Sequence, residues 1–194
     1  MKVLLIRHAE SEANAGMPTS DPVTISITEK GHLQATKLAN EFNDKPDLII
    51  VSAYLRTRQT AVPLIRKFPC AKVETWSLQE FTYLSPSRCM NTTPLERLPL
   101  VKEYWERCDP DFIHGTGAES FNQFSNRVAE CTHRLKQLDN PNAAIFTHSQ
   151  VMRLVKQCLE VGDQPALIAM KYFRDQMLKW PIFNTGILEF NLSK

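Results

Sequence analysis

Three short apolar runs, residues 2–6, 47–51 and 143–147, each stop abruptly at polar residues. Runs of this length that do not alternate with polar residues are strands buried on both faces, and such strands need helices on either side of their sheet. Residues 72–76 and 186–190 have the length and composition of two further strands. The intervening segments carry helical patterning. Thr28 can cap a helix whose Ala35, Leu38, Ala39 and Phe42 fall on one face. Residues 56–68 read as a helix that Pro63 should kink or begin. In residues 119–138, Phe121, Phe124, Val128, Cys131, Leu135 and Leu138 make a stripe at three- and four-residue steps, and residues 150–159 supply another helix. Alternating strands and helices predict an α/β fold: a three-layer α/β/α sandwich around a mostly parallel sheet.

Residues 84–118 interrupt the alternation. They hold Pro86, Pro94, Pro99 and Pro110, a helical stretch at 95–107 and no strand pattern. No repeat, low-complexity tract or linker divides the chain, so residues 1–194 are expected to form a single domain, with 84–118 as a small helical insertion over one sheet edge.

With 23 basic and 21 acidic residues and no long run of one sign, the composition gives no support for nucleic-acid binding. The apolar run before Arg7 is far shorter than the roughly 20 residues of a membrane span, and it does not read as a leader. The five cysteines are scattered without a Cys-x-x-Cys pair. An odd number cannot all pair within one chain, so reduced thiols and a cytoplasmic location are expected. Asn91-Thr92-Thr93 matches a glycosylation sequon and is read as chance.

Arg7-His8 follows the first strand and His148 follows the 143–147 strand. Ligand sites of open α/β sheets lie beyond the carboxyl ends of strands, so the two histidines should share one edge. For His32, His114 and His133 a core or surface place is the better reading. Arg56, just past the 47–51 strand, puts a guanidinium on the same rim, whereas Arg58 points elsewhere on its helix.

These residues lie in a wider pattern. Residues 5–11 (LIRHAES) with Asn14, Ser52 with Arg56 and Gln59-Thr60-Ala61, Leu78-Gln79-Glu80, Gly117-Ala118-Glu119-Ser120, Phe146-Thr147-His148-Ser149 and Asn184-Thr185-Gly186 occur in an order that resembles the histidine phosphatase superfamily, which includes phosphoglycerate mutases. The resemblance spans nearly the whole chain and implies a phosphatase. His8 would take the phosphoryl group, and Arg7, Arg56 and a protonated His148 would surround it. Asn14 and the Ser149 backbone amide would add neutral donors, and Glu80 would protonate the leaving group. Glu74, alternating with Val73 in a strand, is a weaker candidate acid expected to face solvent. Ala9 and Ser149 depart from the glycines usual after the two histidines, adding small side chains beside the phosphate.

The chemistry is consistent with these residue types. Neutral imidazole is nucleophilic near pH 7, and its other ring nitrogen needs an acceptor to fix the tautomer. A phosphomonoester carries close to two charges, and arginine forks stabilise it without a metal. Neither His-x-His nor His-Glu-x-x-His occurs, so no metal or cofactor is expected. The partner is a phosphorylated small molecule; a mutase or a phosphate-binding module without turnover remains open. Arg88, Arg97, Lys102 and Arg107 could meet a second anionic group, and Tyr83 and Trp105 could stack on a ring.

Overall fold

A computed structural model describes residues 1–138 and 142–192. Its strands are β1 (Lys2–Arg7), β2 (Leu48–Ser52), β3 (Lys72–Trp76), β4 (Ala143–Thr147) and β5 (Ile187–Asn191). Its helices are α1 (Glu29–Glu41), α2 (Leu55–Lys67), α3 (Leu98–Arg107), α4 (Phe121–Lys136), α5 (Ser149–Glu160) and α6 (Ala166–Lys179). The sheet order is β3-β2-β4-β1-β5, with β5 antiparallel to β1 and the other pairs parallel.

Side chains alternate across the strands, which divides the core in two. Leu4, Ile6, Ile49, Val51, Ala144 and Phe146 pack against Leu38 and Ala39 of α1 and Ala61 and Leu64 of α2. Val3, Leu5, Ile50 and Ile145 face the opposite layer, where Phe121, Phe124, Phe173 and Tyr104 are almost wholly buried. This is the α/β/α sandwich with its mostly parallel sheet.

Parallel pairing of β1 with β4 in the register Arg7↔Thr147 ends both strands at one level. His8 and His148 therefore emerge side by side, and the His8 amide donates to the Thr147 carbonyl at 3.0 Å. The loop after His8 is seated against α1: Thr28 caps that helix by accepting from the Gly31 amide at 3.0 Å. A Cβ on Gly31 would stand 2.2 Å from the Glu10 carbonyl oxygen, so only glycine permits this approach.

The structure departs from the sequence expectations at several points. Helix α2 starts at Leu55 and runs through Pro63. The 119–138 stripe is buried from Phe121 to Leu135, but the helix ends at Lys136 and leaves half-buried Leu138 beyond it. Helix α3 starts at Leu98, three residues later than the pattern suggests. Helix α6 was not foreseen, because only Met170 and Phe173 of its fourteen residues are buried and its sequence shows no strong stripe. All five cysteines are free thiols. Among the described residues no helix is long and apolar enough to cross a membrane.

Candidate active site

Past the carboxyl ends of β1, β2 and β4 opens a cleft of about 310 Å³, within the range of small-molecule sites. Arg7, His8, Asn14, Arg56 and Glu80 are on its wall, and Leu84, Pro86, Cys89, Pro94, Arg97 and Val101 of the 84–118 segment close its far side.

His8 is 4% exposed. Its Nδ1 lies 2.7 Å from the Ala9 carbonyl oxygen, and Arg56 Nε–H donates to its Nε2 at 3.3 Å. A carbonyl can only accept, so Nδ1 carries the proton and Nε2 the lone pair. Burial first, and then the neighbouring Arg56 charge, hold the His8 pKa well below the ordinary value of 6.5. Ala9 is fully buried, and its amide donates to Thr60 Oγ1 at 3.0 Å.

Arg56 opens α2 after the Ser52–Tyr54 turn. Its Nη1 donates to the Pro22 carbonyl at 2.7 Å, and its guanidinium stands 4.8 Å from the Tyr54 ring centroid. Burial brings its pKa down to about 10, still cationic at neutral pH. Arg7 Nη1 donates to the Ile182 carbonyl at 2.5 Å, while its buried Nε has no partner.

His148 differs from expectation. It is fully buried, does not reach the cleft wall and meets the His8 ring edge-on at 5.2 Å between centroids. Its Nε2 lies 2.8 Å from Ser52 Oγ, and its buried Nδ1 is unpartnered. Burial, with Arg56 next, holds its pKa well below 6.5, so the ring is neutral rather than protonated.

Glu80 sits at the amino end of α5. It accepts from the Gln150 amide at 3.2 Å, from Ser149 Oγ at 3.3 Å and from the Phe81 amide at 3.3 Å. Although its carboxylate borders the cleft, the surrounding protein desolvates it enough to raise its pKa against the pull of Arg56 and Arg7. The Ser149 side chain serves Glu80, and Ser149 does not line the cleft. Glu74 is remote: half-buried at the sheet edge, it is held by Lys72 and Arg134 at 2.8 Å and by Trp76 Nε1 at 2.7 Å.

Asn14 Oδ1 accepts from Asn184 Nδ2 at 2.9 Å and from Ser11 Oγ at 3.2 Å, which orients its own amide as a donor. Asn184 Nδ2 also donates to the His8 carbonyl at 3.0 Å. The sequence had marked Asn184 without a role. Because β5 is antiparallel, its entry loop returns to the end of β1, and only that pairing could have revealed the contact. Arg153 was also missed: its guanidinium donates to the carbonyls of Ser149 and Trp180, bracing the same loop. Glu119 pairs with Arg127 at 2.6 Å and accepts from the Thr82 amide at 3.1 Å, anchoring the Glu80 loop to α4.

Of the basic residues in 84–118, Arg97 alone reaches the cleft wall. Arg88 meets His114 at 3.2 Å, Lys102 pairs with Glu106 at 3.7 Å, and Arg107 lies over the Phe112 ring at 4.0 Å.

The family model of the histidine phosphatase superfamily (branch 1) matches residues 3–174. The chain belongs to this superfamily. No curated protein matches it at a significant level. Among solved structures, this superfamily member is similar to the alpha-ribazole phosphatase from Shigella flexneri, with a TM-score of 0.77 and 22% identity over 100% of this chain and 92% of that one. A phosphoserine phosphatase from Entamoeba histolytica, in complex with 3-phosphoglyceric acid, gives a TM-score of 0.73 and 23% identity over 98% and 90%. A mycobacterial glucosyl-3-phosphoglycerate phosphatase complexed with VO3 gives 0.73 and 18% over 98% and 90%. At these identities the likeness establishes the fold.

Proposed function

We propose that this superfamily member is a metal-independent phosphomonoesterase working through a phosphohistidine on His8. The observation that carries the reading is the fixed tautomer of His8: Nδ1 is committed to Ala9, and the Nε2 lone pair stands beside the Arg56 guanidinium at the cleft.

In the first step His8 Nε2 attacks phosphorus, the phosphorus–oxygen bond to the leaving group breaks, and Glu80 gives that oxygen its proton. The raised pKa of Glu80 favours the protonated form this step needs. In the second step the Glu80 carboxylate takes a proton from water, which attacks phosphohistidine, releases orthophosphate and restores neutral His8. Arg7 and Arg56 offset the charge spread over the phosphoryl oxygens. At about 4 Å each cation contributes on the order of 4 kcal/mol at an effective dielectric near 20. The Asn14 amide, whose Oδ1 is held by Asn184 and Ser11, supplies a further donor. The arginines do the work a divalent metal would otherwise do, so no cofactor is required.

The cleft volume and the names of the structural relatives, which are phosphatases of small phosphorylated molecules, support a small metabolite as substrate. Residues 84–118 would recognise the leaving group within a single domain of residues 1–194. Phosphate release from p-nitrophenyl phosphate with EDTA present tests the reading. Turnover that survives EDTA and disappears in His8→Ala is expected. A folded protein that releases no phosphate from any of a panel of phosphorylated metabolites would sink the hydrolase reading and favour mutase-type transfer or binding alone.

A further inference from the structure

Beyond the phosphoryl end, the cleft is walled by Phe81, Tyr83, Leu84, Pro86 and Val101. Tyr83 is braced from behind by Phe81 at 5.3 Å, Tyr104 at 4.8 Å and Trp105 at 5.6 Å between centroids. A flat apolar surface held this rigidly accepts a ring at little entropic cost. Among the hydroxyls on the wall, Ser20 Oγ donates to Asn91 Oδ1 at 2.5 Å, and Thr82 Oγ1 pairs with Tyr54 Oη at 3.0 Å.

Arg7, Arg56 and Glu80 belong to the phosphoryl end, which leaves Arg97 as the remaining charged side chain on the wall. A guanidinium grips a carboxylate or phosphate through one of two forks, Nε with Nη2 or Nη1 with Nη2. Both forks need Nη2. In Arg97, Nη2 donates to Thr19 Oγ1 at 2.7 Å, to the Thr92 carbonyl at 2.5 Å and to the Thr19 and Cys89 carbonyls at 3.2 Å. Its Nε donates to Thr92 Oγ1 at 2.7 Å. Arg97 thus latches the 84–118 segment onto the loop bearing Thr19, and neither fork is left for a second anion.

From this wall we propose that the enzyme is selective for phosphomonoesters of uncharged, ring-bearing alcohols over those whose leaving group carries a carboxylate or second phosphate. The proposal rests on the phosphatase reading only for where the phosphoryl group sits.

Affinity in the non-turning-over His8→Ala protein separates the two claims. Calorimetry would compare 2-phenylethyl phosphate with O-phosphoserine and 3-phosphoglycerate, all esters of alkyl alcohols. Burial of the ring predicts about 10-fold or tighter binding of 2-phenylethyl phosphate. Tyr83→Ala in the same background should lower that preference by about 5-fold. Equal or reversed affinities, or a preference that Tyr83→Ala leaves unmoved, would overturn the proposal. If the preference holds while wild type turns over no ester at all, the hydrolase reading fails and the selectivity stands. If wild type hydrolyses p-nitrophenyl phosphate but the acidic ligands bind more tightly, the selectivity fails and the hydrolase reading stands.

Discussion

Arg56 Nε lies 3.3 Å from Nε2 of His8, so the cation expected to face the phosphoryl group also marks the nitrogen that attacks it. Burial first and then the Arg56 charge keep His8 neutral, and the hydrogen bond leaves Nε2 as the unprotonated nitrogen through a donor that only the guanidinium supplies. Arg56→Lys retains the charge but loses the Nε–H and the hydrogen bond to the Pro22 carbonyl. We expect kcat/KM for p-nitrophenyl phosphate to fall about 100-fold, roughly 2.7 kcal/mol in the barrier. A loss under about 3-fold would mean that point charge alone suffices.

The raised pKa of Glu80 predicts that kcat declines on the alkaline side as the bound enzyme loses the acid's proton. No acid limb should arise from His8, whose value burial keeps well below 6.5. Glu80→Gln should remove the alkaline limb together with most of kcat. In Ser149→Gly the carboxylate loses a hydroxyl donor to its charged form, so the limb should move to higher pH. A limb unmoved by Ser149→Gly would show that the hydroxyl has no influence on the acid.

Folding stability should also depend on pH. His8 and His148 stay neutral when folded, while in the unfolded chain each takes a proton as pH falls through about 6.5. Below that value the unfolded state binds more protons, so stability is full above it and falls as pH drops. Glu80 has the opposite sign: its contribution is full below its ordinary value of 4.5 and is lost as pH rises through its raised folded value. With two histidines against one carboxylate, the urea midpoint should be lower at pH 5.5 than at pH 7.5. An unchanged or higher midpoint at pH 5.5 would contradict the neutral assignment.

Asn184 acts through His8 and Asn14, so it is a positioning residue. Asn184→Ala removes the donors to the His8 carbonyl and to Asn14 Oδ1, freeing both groups. A fall of about 10-fold in kcat/KM is expected, about 1.4 kcal/mol, in line with one or two lost hydrogen bonds. Asn184→Asp, which cannot donate at neutral pH, should be no better. Wild-type kinetics in either variant would exclude the role.

Several features were legible in the sequence because they depend on local pattern. The runs at 2–6 and 143–147 identify buried strands, and the residues that follow them put both histidines at one sheet edge. The order of short motifs, from Arg7-His8 through Glu80 to His148, was enough to indicate the superfamily. Helix α6 escaped because its two buried residues are too few to write a periodic signal.

What the tertiary structure alone decided depends on contacts between residues far apart in the chain. The neutrality of His148 follows from complete burial beside Arg56, and the availability of Asn14's amide follows from Asn184 reaching it across 170 positions. Arg97 offered the sequence reading a cation for a second anion; in the fold its Nε and Nη2 donors, which both forks require between them, are spent on Thr19, Cys89 and Thr92. Residue type fixes which chemistry a side chain can perform. The partners that the fold supplies decide which of its donors remain for a substrate and which protonation state it holds.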